Sequence, residues 1–248
     1  MSGHSKWSTI KHKKAKLDNK RAKVFTKIGK EIMVAVKLGG PDPDGNSRLK
    51  LILQKARVNN MPNDNIKKLI QKAAGDSNTA NYEELVYEGY GVGGAAVIVD
   101  VMTDNRNRTA GEIRHIFDKC GGNMGETGCV SWMFDNLGLI SFEANKIDED
   151  EITLAAIEFG AKDVTLEDEY INIYTEVKDF DLVRTELENN GYEPEVAELT
   201  KLPKDNIEIN DLEQAKLLIK MMDLLEDNDD VQNTYSNFDF SEEIEGSL

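Results

Sequence analysis

The sequence predicts a multi-domain α/β (α+β) protein: an all-α helical N-terminal domain followed by two α/β sandwich domains, one inserted in the other. Three observations predict it. Up to about residue 75, apolar residues recur at three- and four-residue steps, the period of helices that bury one face. From Val86 onward, short β-rich runs alternate with helical stretches, the pattern of two-layer sandwiches. Within that region, residues 138–203 carry a complete β-α-β-β-α-β order, whereas the stretches on either side are each incomplete.

The first helix is expected over about 18–38, where Val24, Phe25, Ile28, Ile32 and Val36 share one face. Gly39, Gly40 and Pro41 end it, since glycine takes the left-handed cap and proline cannot continue a helix. After the turn PDPDGN, Asn46 is the expected N-cap of a second helix carrying Leu49, Ile52, Leu53 and Ala56. Pro62 breaks the chain again. Asn63 or Asp64 is then expected to cap a third helix with Ile66, Leu69 and Ile70, closed by Gly75. These helices make a domain of residues 1–80, ended by the polar linker DSNTAN.

Residues 86–90 and 95–102 read as a hairpin around GVGG. Thr109 with Glu112 three residues on suggests a capping box for a helix through Lys119, ended by Gly121 and Gly122. Residues 129–134 read as the next strand. A strand at 139–142, a helix at 151–159 and a hairpin of 164–166 with 170–175 follow. A helix at 180–188 and a strand at 196–199 then complete a split βαβ, ferredoxin-like unit. A helix at 212–225 and a strand at 231–235 supply what 82–135 lacks. The expected domains are therefore 82–135 with 207–238, and 138–203 inserted between them. Residues 239–248 form an acidic tail, with SEEIEGSL read as a disordered end.

Charge says most about partners. The chain of 248 residues has a formal net charge of −16. Residues 1–80 hold 18 Lys+Arg against 6 Asp+Glu, a balance of +12, and the other 168 hold 12 against 40, a balance of −28. One end is built to meet a polyanion that the other would repel. The block from Gly3 to Ile32 concentrates the cations, and from it Lys6, Lys11, Lys13, Lys14, Lys16, Lys20, Arg21, Lys23 and Lys27 are the candidate nucleic-acid contacts. Trp7 among them can stack on an unpaired base, or staple the first helix instead. Farther on, MTDNRNRT places Arg106 and Arg108 on a strand-to-helix turn in the acidic half, where they can contact phosphate or face solvent.

Other chemistries are poorly supported. Gly89, Gly91 and Gly94 spell GxGxxG, but a strand follows where a dinucleotide site needs a helix. His4, His12, His115, Cys120 and Cys129 fit no zinc spacing, and core filling accounts better for the cysteines. Asp100, Asp104, Glu112 and Glu126 raise a metal-dependent nuclease reading, although local capping and turn duties explain Asp104 and Glu112. No catalytic residue, metal, cofactor or small-molecule substrate is expected. The N-terminus has no apolar run of a secretory signal, no stretch is long enough to span a bilayer, and two cysteines fit a reducing compartment. The reading is a cytoplasmic monomer with no membrane partner.

The strings GHSKWSTIKHKKAKLDNKRAKVFTK, ARVNNMPNDNI, VYEGYGVGGAAVIVDVMTDNRNRT, GGNMGETGCVSWMF and DDVQNTYSNFD resemble the YebC/PmpR family over nearly the whole chain. That family also contains a mitochondrial translational activator. The resemblance implies a three-domain α/β protein with an all-α N-terminal domain and a non-enzymatic cytoplasmic role in gene expression. Family members are described as DNA-binding transcriptional regulators. Others are described as ribosome-associated factors that help elongation through proline-rich stretches. The expected partner is thus nucleic acid, ribosomal RNA on the ribosome or alternatively DNA.

Overall fold

The computed structural model describes residues 21–75, 81–167 and 169–245. They form two compact units, one of the described residues up to Phe134 and from Pro203 onward, the other Asp135–Leu202.

The first unit begins with three helices, α1 (Arg21–Gly39), α2 (Ser47–Val58) and α3 (Asn63–Gly75). Gly40, at φ +86°, takes the left-handed turn that stops α1. Asn46 then does two jobs. Its side-chain oxygen accepts from the Leu49 N–H at 3.0 Å, capping α2, and its amide donates to the carbonyls of Ala35 and Gly40 at 2.9 Å each. A Cβ on Gly39 would sit 2.7 Å from that amide, so glycine there lets the cap approach. The third helix differs from expectation at its start. Asn63 is its first residue rather than its cap, and the carbonyl of Pro62 accepts from Asn65 and Ile66 N–H at 2.9 and 3.2 Å. Ile28, Ile32, Leu49, Leu53, Ala56 and Ile66 close the helical core.

The same unit continues into a four-stranded sheet of order β3-β1-β2-β9, from β1 (Glu83–Tyr90), β2 (Ala96–Thr103), β3 (Asn123–Met124) and β9 (Val231–Ser236). Strands β1 and β2 pair antiparallel from Glu83↔Thr103 to Tyr90↔Ala96, as alternation in the sequence requires. Val97, Val99 and Val101 lie on one face and are buried with residues of α4 (Arg106–Lys119) and α7 (Leu212–Asp227), among them Ile113, Phe117, Leu218 and Met222. Cys120 ends α4 inside this core.

Three segments of this unit depart from expectation. The helix expected to start at a Thr109 capping box starts earlier. Asn105 is the cap and accepts from the Arg108 N–H, so both arginines of the motif fall in the first turn of α4. Of the segment expected as a strand at 129–134, only Phe134 lies in a strand, and the rest is a loop with a 3-10 turn at Ser131–Met133. Its backbone is captured by Glu88 of β1. That buried carboxylate accepts from the N–H groups of Gly128, Val130 and Ser131 at 2.8, 2.9 and 2.8 Å. Burial pushes the Glu88 pKa up, but the backbone donors outweigh it and hold the carboxyl below its usual range. The acidic end also differs from a disordered tail over its described part. Strand β10 (Phe238–Phe240) pairs parallel with β8 (Ile207–Ile209), and Ile244 of the short α8 (Glu242–Glu245) is buried in the core, because apolar residues alternate with the acids.

Glu88→Gln presents an amide to three N–H donors and is expected to lower stability by about 1–3 kcal/mol. Urea unfolding measures the effect, with faster amide exchange at Val130. An unchanged midpoint would mean that the loop holds itself.

The second unit has a sheet of order β5-β6-β4-β7, from β4 (Phe134–Glu143), β5 (Asp163–Glu167), β6 (Tyr170–Glu176) and β7 (Val196–Pro203). Its helices are α5 (Glu149–Glu158) and α6 (Phe180–Asn189). This is the ferredoxin-like order. Ile152 and Ala156 of α5, Val183 and Leu187 of α6, and Ile140, Ile171 and Ile173 of the sheet are fully buried. Gly160 and Gly191 follow the two helices with positive φ, at +102° and +88°.

Candidate nucleic-acid interface

Of the expected contacts, Lys6, Trp7, Lys11, Lys13, Lys14, Lys16 and Lys20 lie outside the described residues. Arg21 opens α1. Lys23 and Lys27 are placed, and both face the α/β part of their own unit. With Lys30 they form a stripe at i, i+4 and i+7 along α1. Each meets the C-terminal end of α7 or the turn after it. Lys23 Nζ donates to the Asp227 carbonyl and carboxylate at 3.0 and 3.1 Å, and Lys27 Nζ to the Glu226 carbonyl at 2.7 Å. Lys30 Nζ donates to the Asp229 carbonyl at 2.8 Å and Asp230 Oδ1 at 2.6 Å, 5.5 Å from the centre of the Tyr82 ring. Unpaired carbonyls and the negative dipole end of a helix favour cations at this place.

Asp230 is the hub of this contact. Its second oxygen lies 2.6 Å from Arg108 Nη2, 2.7 Å from the Thr109 hydroxyl and 3.0 Å from the Thr103 hydroxyl. Burial raises its pKa, yet the hydrogen bonds from Lys30, Arg108 and Thr109 overcome that and hold the carboxyl far below its usual range. Arg108 also pairs with Asp104 at 3.0 Å, and Asp230 in particular pushes its own pKa upward. Arg108 of the two-arginine motif thus grips the same carboxylate that Lys30 of α1 reaches from the helical part.

Arg106 is placed differently. It is exposed on the first turn of α4, and its carbonyl accepts from the Tyr87 hydroxyl at 3.4 Å. Burial raises the Tyr87 pKa, opposed by the guanidinium charges of Arg106 and Arg114, so both cations lie near that phenol. Lys67, Lys68 and Lys72 are exposed on α3, on the side away from Ile66 and Ala73. Arg114 and these three lysines were not among the expected contacts. Their signal was present in the sequence as cations opposite the apolar face of a helix.

Two of the four carboxylates considered for a nuclease have local partners. Asp104 pairs with Arg108, and Glu112 accepts from Asn228 Nδ2 at 2.8 Å. Among the described residues, no group of three His, Cys, Asp or Glu could hold a metal ion, and no helix is long and apolar enough to cross a membrane.

Comparison with known proteins bears on the whole arrangement. A family model for the TACO1/YebC N-terminal domain matches residues 5–76, and one for the TACO1/YebC second and third domain matches residues 82–238. A relative from Desulfitobacterium hafniense is 54% identical over 247 residues, covering 99% of this chain and 98% of its own length. One from Geotalea uraniireducens is 56% identical over 243 residues, covering 98% of each. Both are named "Probable transcriptional regulatory protein". The crystal structure of a conserved hypothetical protein from Aquifex aeolicus is similar with a TM-score of 0.85 and 45% identity, over 93% of this chain and 95% of that one.

Proposed function

Since the chain belongs to the TACO1/YebC family, we propose that it is a non-enzymatic regulator of gene expression that docks on ribosomal RNA and assists translation elongation, including through proline-rich stretches. The observation that carries the docking is the charge division, +12 over residues 1–80 against −28 over the rest. Lys23, Lys27 and Lys30 spend their charge inside the molecule. The contacts to RNA are therefore assigned to Lys6, Lys11, Lys13, Lys14, Lys16, Lys20 and Arg21, with Lys67, Lys68 and Lys72 on α3 and Arg106 with Arg114 on α4. Trp7 among the cations suits unpaired bases, which favours RNA over a regular duplex. The proline-stretch role rests on family resemblance alone. The name of the relatives favours a second reading, a DNA-binding transcriptional regulator using the same basic surface.

Fluorescence anisotropy separates the two. A labelled ribosomal RNA fragment with unpaired loops is expected to bind at physiological salt more tightly than duplex promoter DNA of equal charge. Tighter binding to the duplex overturns the RNA reading.

The arginine motif gives a split prediction. Arg106→Ala is expected to weaken RNA binding and reduce its salt dependence by about 0.7–0.9 in log–log slope, with the unfolding midpoint unchanged. Arg108→Ala is expected to lower the midpoint, because Asp230 loses a partner. Equal effects of both on binding and neither on stability would assign Arg108 to RNA as well.

A further inference from the structure

We infer that the outward face of α5 and α6 in the inserted unit is a docking surface for a cationic, amphipathic segment of a partner protein. This does not depend on the identity of the nucleic acid. Leu154 and Ile157 on α5 are 70% and 60% exposed, and Leu182 on the neighbouring α6 is 58% exposed. Single exposed leucines are ordinary. Here, however, Leu154 and Ile157 stand one turn apart, opposite the buried Ile152 and Ala156, and Leu182 faces away from the buried Val183 and Leu187. The inward face already has its core, so these outward apolar groups serve nothing in the fold of the unit.

Charge selects the occupant. Residues 135–202 contain 19 Asp+Glu against 5 Lys+Arg, a balance of −14. Asp150, Glu151 and Glu158 on α5 and Asp181 on α6 are exposed around the apolar positions. The one cation in the two helices, Arg184, is 3% exposed and held by Glu188 at 2.8 Å and Asp181 at 3.5 Å. Nucleic acid and anionic lipid are repelled from such a face, and a second copy would bring −14 against −14. A segment with apolar anchors at helical spacing flanked by Lys and Arg meets both the leucines and the acids.

The test titrates the full chain into a labelled synthetic peptide with Leu at i, i+3 and i+7 and Lys between them, read by anisotropy. The variant Leu154→Ser with Ile157→Ser and Leu182→Ser keeps every charge and is expected to bind about tenfold or more weakly. Replacing Leu38 and Val58, exposed apolar residues of the helical part, by Ser is expected to leave affinity unchanged. Asp150→Lys with Glu158→Lys is expected to weaken binding and flatten its salt dependence. Near-wild-type unfolding midpoints confirm that the variants fold. The inference is overturned if the triple variant binds within twofold of wild type, or if a peptide with Ser for Leu binds equally. It is also overturned if wild type sediments as a dimer that the triple variant dissolves, since the occupant is then a second copy.

Discussion

Asp230→Asn is expected to destabilise the protein by about 3–5 kcal/mol at neutral pH, the range for removing one partner of a buried ion pair. Lys30 is left with its ammonium group buried, its side chain only 10% exposed, and no carboxylate opposite it. The hydroxyls of Thr103 and Thr109 lose an anionic acceptor as well. Equilibrium urea unfolding measures the effect. Lys30→Met, which removes the stranded charge, is expected to recover part of the stability in the Asp230→Asn background. The pH dependence has a defined sign. The folded-state Asp230 carboxyl lies below its unfolded value of about 3.9. Its contribution is therefore fully present well above pH 4 and is lost as pH falls through the folded value. Asp230→Asn should accordingly narrow its stability gap to wild type as pH falls below about 4. A gap that stays constant down to pH 2 would show that Asp230 does not set the acid sensitivity of the fold.

Changing Lys11, Lys13, Lys14 and Lys16 together to Glu is expected to abolish measurable RNA binding at physiological salt. Every phosphate that the protein no longer neutralises flattens the log–log salt dependence by roughly 0.7–0.9, so four of them lower the slope by about 3. The urea midpoint is expected to stay near wild type, because the described docking of α1 uses Lys23, Lys27 and Lys30 instead. The slope is the sharper readout. If affinity and slope both persist, the exposed lysines of α3 and the arginines of α4 carry the RNA, and the N-terminal block does not.

Much of the fold was legible because it is local. Val24, Ile28 and Ile32 announce α1 by spacing alone, and Asn46 announces the cap of α2. The inserted unit was legible because its six elements are complete and its two helices are closed by Gly160 and Gly191. Misreadings came where distant residues decide. CVSWMF has strand-like composition, yet Glu88, some forty positions earlier, takes its backbone donors and bends it into a loop. Lys23 and Lys27 read as nucleic-acid contacts from charge alone, whereas Glu226–Asp230, about 200 positions away, takes their hydrogen bonds and that of Lys30. Arg106 and Arg108 are near-equivalent in sequence. The hydrogen bond from Arg108 to Asp230 sets their surroundings apart. Charge patterning names a cation but not its partner.

Sedimentation of the purified protein with purified ribosomes, at low and at physiological salt, tests the central claim most directly. Wild type is expected to travel with ribosomes, more at low salt, while the variant with Lys11, Lys13, Lys14 and Lys16 changed to Glu stays at the top of the gradient. Wild type that remains at the top at both salt concentrations, or a variant that co-sediments as fully as wild type, would contradict docking of the basic end on ribosomal RNA.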